Sequence, residues 1–295
     1  MESFSVIVTA HNMERVIGRT LGSVEAAVAA FQGQGAEAAG AAAEIVVVED
    51  GSSDGTWPAI QEQAAGKPFY RLIRRATVSS PSCARNVGVA AACGELLFFL
   101  DGDDLFYPAH IRVCQLTLAD PAIHFVKTKV HLADAVHPDW RERINHSVII
   151  NLCLRRACHE AVGGFPDWHL VERSGEGFRH VIDIFYKFED MYYNELITRS
   201  FPGVGLAEET VEHLRYPGNG FDRQYAKFQH PFGAHRQLNA ESDNFRLALC
   251  DTILQHRLHE LHQSDPAAGR TSSEQPTERS TVQDRGLLGA GGSPG

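Results

Sequence analysis

Three acidic clusters in this chain have a spacing that could do chemistry. Asp101, Asp103 and Asp104 follow the apolar run Leu96–Leu100 in "LLFFLDGDD", Glu49 and Asp50 follow "IVVV", and Glu189 and Asp190 open "EDMYYNEL". Carboxylates brought together repel one another unless a cation or hydrogen-bond donors compensate. A hard divalent ion, Mn²⁺ or Mg²⁺, held by one or two carboxylates and by the phosphates of a ligand, would resolve that conflict. Asp-x-Asp is compact enough for one carboxylate to face the metal while the other takes a ligand hydroxyl. Taken alone, though, acids after a strand are as readily turn formers or helix caps.

The elements that must position these groups read as alternating strands and helices. Strands are expected at Ser3–Ala10, Glu44–Asp50, Phe69–Arg75 and Glu95–Leu100. Between and after them come helical patterns: about Glu14–Phe31, one opening at Thr56 as N-cap with Pro58 in its first turn, Pro81–Ala92 and Pro108–Ala119. Strands that are apolar at their centre on both faces need helices on both sides. This β-α alternation predicts an α/β fold with a parallel, doubly wound sheet, whose ligands sit at the carboxyl ends of the strands. The first two acidic clusters emerge at that rim.

Phe31–Glu44 is biased to Ala and Gly, and reads as a helix end plus a loop. Beyond Asp120 the alternation loosens into α+β material. Strands are expected at Ile123–Leu132, His146–Leu154 and Gly205–Leu214, with helices at Asp190–Arg199 and Glu241–His262. From Gln263 the chain is poor in large apolar residues and rich in Gly, Pro and Ser, and is expected to be a disordered tail.

Composition narrows the partners. Lys and Arg number 27 against 37 Asp and Glu, a net charge of −10, and no long basic run could track a phosphate backbone. Nucleic acid is therefore not an expected partner. The six cysteines never form C-x-x-C and sit mostly in apolar segments, which suits reduced core thiols and a cytoplasmic setting, at most peripheral to the inner membrane face. The acidic, short N-terminal run does not read as a signal peptide, and no apolar stretch is long enough to predict a membrane span.

The ordered set "SVIVTAHNMERVIGRTLGSV", "EIVVVEDGSSDGT", "ARNVGVAAACGELLFFLDGDD", "GGF" and "FED" resembles the family 2 glycosyltransferases of GT-A fold, over about residues 3–200. The resemblance implies a Rossmann-like, mostly parallel sheet flanked by helices, with a nucleotide-sugar-binding half at 1–120. An acceptor-binding and catalytic half at 121–262 would complete the same domain, ending in C-terminal helices. It implies a nucleoside-diphosphate sugar as donor, UDP-linked in the usual case, and inverting transfer to an acceptor that the sequence leaves unidentified. With no Q-x-x-R-W motif and no expected span, a single addition rather than processive synthesis is implied.

Carried over by position, the resemblance places Thr9, Ala10 and Glu14 beside the nucleotide base, and Asp50 as the acceptor of its imide hydrogen bond. Glu49 stands where an aspartate is usual. Arg85, flanked by Asn86 and Gly88, would reach the nucleotide, Asp101 the ribose, and Asp103 the metal. Asp104 either assists the metal or caps the next helix, the cap being favoured. Asp190 would be the general base, with Glu189 supporting it or touching the acceptor. Gly163, Gly164 and Phe165 would shape the acceptor side, where Trp168 is either a sugar-stacking face or core. His213 and Arg215 could approach the diphosphate. The loop Asp134–Ile144 and the segment Val171–Phe188 would frame the acceptor.

Rival readings are a sugar-nucleotide nucleotidyltransferase, which normally carries a Gly-rich, Arg-containing loop after its first strand where this chain has "TAHNMERVIG", and a non-catalytic nucleotide-sugar-binding protein of the same fold. The joint presence of Asp50, Asp101, Asp103 and Asp190 favours an enzyme.

Overall fold

The structure is a computed structural model that describes residues 1–33, 41–133, 136–167, 169–174, 177–183, 188–215, 225 and 241–264. Its elements run β1 (Phe4–Ala10), α1 (Ile17–Gln32), β2 (Ala43–Asp50), α2 (Thr56–Ala64), β3 (Tyr70–Arg75), α3 (Pro81–Ala91), β4 (Leu96–Asp101) and β5 (Asp104–Phe106). There follow α4 (His110–Leu118), β6 (Phe125–His131), α5 (Pro138–Ser147), β7 (Leu152–Arg155), α6 (Arg156–Val162), β8 (His169–Ser174), β9 (Gly177–Asp183), α7 (Glu189–Ser200), β10 (Gly203–His213) and α8 (Glu241–Ser264). Eight strands form one sheet in the order β3-β2-β1-β4-β7-β6-β10-β5, and β8 and β9 form a separate antiparallel pair.

The apolar strand centres explain the layering. Along β4, Leu96, Phe98 and Leu100 join a core with Ile17, Leu21 and Val24 of α1, Ile60 of α2, Ile111 of α4 and Ile144 of α5. The alternate residues Leu97 and Phe99 join a second core with Val89 of α3, Val162 of α6, Tyr193 and Leu196 of α7 and Leu254 of α8. Successive strand side chains point to opposite faces, so a run of five apolar residues requires both helical layers.

β3, β2, β1 and β4 are mutually parallel, while β7 runs antiparallel to both β4 and β6, and β5 antiparallel to β10. In the parallel block Ala10 pairs with Glu49 and Thr9 with Asp101. The carboxyl ends of β2 and β4 thus flank that of β1, with Asp50 and Asp101 on either side of it. No helix among the described residues is long and apolar enough to cross a membrane.

Several expectations need correction. The strand expected at His146–Leu154 begins only at Leu152, because α5 continues through Ser147. Much of the expected loop Asp134–Ile144 is that helix: His137 accepts from the Asp139 N–H at its start, and Trp140 and Ile144, one turn apart, face the core. Within Val171–Phe188 the described residues form most of the β8–β9 hairpin. Thr56 is not an N-cap. Gly55 holds that position, while the Thr56 hydroxyl donates to Asp54 and accepts from the Met13 N–H. The tail expected from Gln263 begins within α8 for its first two residues and then lies outside the described residues, as do Trp168 and the Ala- and Gly-rich stretch from 34 to 40.

Close approach of α3 to the sheet depends on Gly88, where an added Cβ would meet Ile7 Cγ2 at 2.5 Å and Val48 Cγ2 at 3.3 Å. Gly88→Ala is expected to cost about 1–3 kcal/mol through overpacking, read as a lower urea midpoint at unchanged m-value.

Candidate active site

The turn after β4 lies tightly over the end of β1. The Gly102 N–H donates to Thr9 O at 2.8 Å, its carbonyl accepts from the Thr20 hydroxyl at 2.9 Å, and a Cβ there would sit 3.0 Å from both Thr9 O and Ala10 Cβ. Glycine between Asp101 and Asp103 therefore lets both acids emerge at the rim without lifting the turn. Ala10 is buried beneath it.

Arg85 is the centre of the arrangement. It projects from α3, is 3% exposed, and donates from Nη2 to Asp101 Oδ1 at 2.8 Å and from Nη1 to Asp190 Oδ1 at 2.6 Å. Burial works against its charge, but Asp190 and Asp101 more than offset this, so the guanidinium pKa is raised. Phe165 lies 5.4 Å beneath the guanidinium and stacks on Tyr193 of α7 at 3.8 Å. Asn86 fixes that ring's backbone, accepting from the Phe165 N–H at 2.9 Å and donating to its carbonyl at 3.0 Å.

Each aspartate spends one oxygen on Arg85. Thr9 donates to the same Oδ1 of Asp101 at 3.4 Å, and Oδ2 of both Asp101 and Asp190 has no partner among the described residues. Burial raises the Asp190 carboxyl above its ordinary range; Arg85 pulls it down and Asp101 pushes it up again. A carboxylate with one oxygen anchored, one open and a raised pKa suits proton abstraction. Glu189, beside it in the first turn of α7, acts on Arg85 through its charge.

Asp50 is held differently. Its carboxylate, 5% exposed, accepts from the Ser79 N–H at 2.9 Å and the Ser79 hydroxyl at 3.1 Å, and lies 3.4 Å from Arg75 Nε. Glu49 is fully buried, pairs with Arg74 at 3.2 Å and accepts from the Ser52 N–H, so it closes its own turn. Glu14 is exposed and engages the same β2–α2 loop, accepting from the Gly55 N–H at 3.1 Å.

Asp104 neither caps α4, whose N-cap is Ala109, nor reaches the rim. It lies in β5, 1% exposed, 2.7 Å from His213 Nδ1 and accepting from the Leu214 N–H at 3.2 Å. Two hydrophobic neighbours, Leu105 and Phe106, draw the strand inward and take Asp104 with them. Burial opposes the His213 charge, yet Asp104, with Asp103 and Asp101 behind it, pushes its pKa up to about 9. Arg215 stands 5.7 Å from the ring of Tyr225.

The structure thus joins Thr9, Arg85, Asp101 and Asp190 by direct contacts and groups His213 electrostatically with Asp101, Asp103 and Asp104. It leaves Asp50 and Glu14 at a neighbouring station. Among the described residues no group of three His, Cys, Asp or Glu side chains could close around a metal. Two adjacent carboxylates of one turn nevertheless suit a hard cation that takes its remaining oxygens from a diphosphate. The sequence reading missed Lys127 and Asn194, which pack behind Asp190: Lys127 Nζ donates to Asn194 Oδ1 at 2.7 Å, and Asn194 Nδ2 to Asp190 O at 3.0 Å. A lysine within the apolar alternation of "FVKTKVH" was the available signal.

Comparison with known proteins places this geometry. The profile of Glycosyl transferase family 2 matches residues 5–174, more than half of the chain, which therefore belongs to that family. The uncharacterized glycosyltransferase YibD of Escherichia coli K12 is 28% identical over 141 residues, covering 48% of this chain and 38% of YibD. The succinoglycan biosynthesis protein ExoU of Rhizobium meliloti is 32% identical over 94 residues, 32% of this chain and 27% of its own length. The matched region thus spans less than half of these curated relatives.

Among solved structures, Staphylococcus aureus TarS 1-349 in complex with UDP-GlcNAc superposes with a TM-score of 0.56 at 20% identity, covering 89% of this chain and 73% of that one. The mannosyltransferase PcManGT of Pyrobaculum calidifontis, in complex with GDP-Man and Mn²⁺, gives 0.55 at 19%, covering 92% and 76%. The fold is that of GT-A glycosyltransferases.

Two outcomes follow for the site. Arg85→Ala leaves two carboxylates facing each other without their cation and is expected to cost about 3 kcal/mol, measured by urea unfolding at neutral pH. The folded pKa values of His213 and Asp104 both lie above their ordinary ones. The unfolded chain therefore binds fewer protons, and the pair's contribution declines as pH rises towards about 9. His213→Asn should flatten the fall of the thermal midpoint between neutrality and that pH.

Proposed function

We propose that this chain is a metal-dependent, inverting glycosyltransferase that moves a sugar from a nucleoside-diphosphate sugar, UDP-linked, to an acceptor hydroxyl in a single addition. The observation that carries the reading is the Arg85 bridge, which couples the donor-side Asp101 at the end of β4 to Asp190 at the start of α7. Residues 1–120 supply the donor station and residues 121–262 the acceptor side, where Glu189 and the β8–β9 hairpin lie close to Asp190 in sequence.

In this reading Asp50, pinned by Ser79 and Arg75, accepts the imide N–H of uracil, and Thr9, Ala10 and Glu14 line the base. The open Oδ2 of Asp101 takes a ribose hydroxyl. Asp103 would hold Mn²⁺ or Mg²⁺, which when bound would supply neutralisation of the charge developing on the departing diphosphate. His213 and Arg215 add positive charge on the same side. The open Oδ2 of Asp190 takes the acceptor's hydroxyl proton as that oxygen attacks the anomeric carbon. The bond to the diphosphate breaks with its electron pair leaving on the diphosphate, which inverts the anomeric centre. The donors in the TarS and PcManGT complexes support a nucleoside-diphosphate sugar, and the Mn²⁺ of the latter supports a divalent ion. Six free thiols are in keeping with a cytoplasmic setting.

Calorimetry with UDP, GDP and dTDP, with and without Mn²⁺, tests the donor. UDP should bind with the largest heat and lose at least tenfold in affinity when the metal is chelated; binding of none of the three would overturn the assignment. Asp103→Asn should weaken both UDP binding and donor turnover. Asp190→Asn should retain UDP affinity within about twofold and lose about 10²–10⁴ in turnover. Normal turnover by Asp190→Asn would reduce that residue to a helix cap.

A further inference from the structure

Joined to the backbone of Asp190 through Asn194, a second cation is built into the interior. Lys127 enters from β6, and its Nζ donates to three acceptors: Asn194 Oδ1 at 2.7 Å, Val148 O at 3.0 Å and His146 O at 3.2 Å. Asn194, 2% exposed, completes the knot with donations to Ser147 O, Val148 O and Asp190 O at 2.9, 3.0 and 3.0 Å. The last is a side-chain bond to the carbonyl of the very residue read as the base, one helical turn back. The end of α5, the centre of β6 and the first turn of α7 are thereby locked to one ammonium group.

We propose that Lys127 is a positioning residue for Asp190, fixing the first turn of α7 and setting a positive charge behind the base; this rests on reading Asp190 as the general base. The arrangement costs the lysine its hydration. Burial lowers its pKa to about 7, and the charges of Asp190 and Glu195 on α7 resist that fall while Lys129 on β6 adds to it. From α5 the facing groups are His146 and Glu142, paired with each other at 2.8 Å, with Glu142 also 3.6 Å from Lys129. In the acid range where a carboxyl titrates, Lys127 is protonated, so it favours ionised Asp190. A neutral hydrogen-bonding residue at position 127 could tie the same elements but would not supply this field.

The test is a titration of the full chain that needs neither donor nor acceptor. With Asp ¹³Cγ-labelled protein, the Asp190 resonance is identified by its absence in Asp190→Asn. In Lys127→Met its midpoint should rise by roughly one pH unit, and Lys127→Arg should return it towards the wild-type value. An unchanged midpoint in Lys127→Met overturns the proposal. If Lys127→Met does not fold, the reciprocal measurement decides, because coupling between two titrating groups is mutual. With lysine ¹³Cε labelling, Asp190→Asn should lower the Lys127 midpoint, and no change there overturns the coupling equally. Transfer assays answer the separate question: shifted midpoints in a chain that turns over no nucleotide sugar would leave the Lys127–Asp190 link standing and remove the reading of Asp190 as base.

Discussion

The buried guanidinium of Arg85 is the interaction on which the arrangement of the site depends. Taking a cation out of water is costly, and the cost is offset only when its hydrogen-bonding groups meet anions in good geometry. Here Asp101 and Asp190 supply those anions from opposite halves of the chain. Closing α7 onto the parallel block of the sheet and satisfying Arg85 are therefore one event. Phe165 beneath the guanidinium and Asn86 beside it extend the same constraint to the Gly-Gly-Phe turn, so that turn is referenced to the same atom group as the ends of β4 and α7.

Charge compensation elsewhere along the rim follows one rule with different partners. Glu49 answers to Arg74, Asp50 to Arg75 and Ser79, and Asp104 to His213. The repulsion expected from so many neighbouring carboxylates is thus largely relieved within the protein. Arg74 and Arg75 come from β3 and Arg85 from α3, close in sequence to the strands they serve, whereas the partner of Asp104, His213, comes from β10 in the second half of the chain.

The parallel block was legible because its signals are local and redundant. β1, β2 and β4 carry apolar runs too short for a helix, each strand from β1 to β4 is followed by a helical pattern, and acids stand at the ends of β2 and β4. Beyond Asp120 that redundancy fails. The segment from His137 to Leu154 contains a helix with only Trp140, Ile144 and Asn145 buried, followed at once by apolar residues, and periodicity could not tell where one ended and the other began. Asp104 was misassigned for a related reason. A three-residue strand has no pattern of its own, and β5 exists because β10, some hundred residues later, returns to pair with it.

The sequence by itself determined the identity and order of the reactive groups: acids after buried strands, an arginine on the third helix, an acid pair opening a late one. Those follow from composition and short-range periodicity, which the chain carries whatever its partners. Only the tertiary structure decided which oxygens are spent and which stay open, that one guanidinium serves two aspartates, that Asp104 is withdrawn into a buried pair, and that Lys127 stands behind Asp190. These are contacts between residues far apart in the chain, set by the way β6 and β10 extend the sheet beyond β4 and β7 and α7 packs on its face.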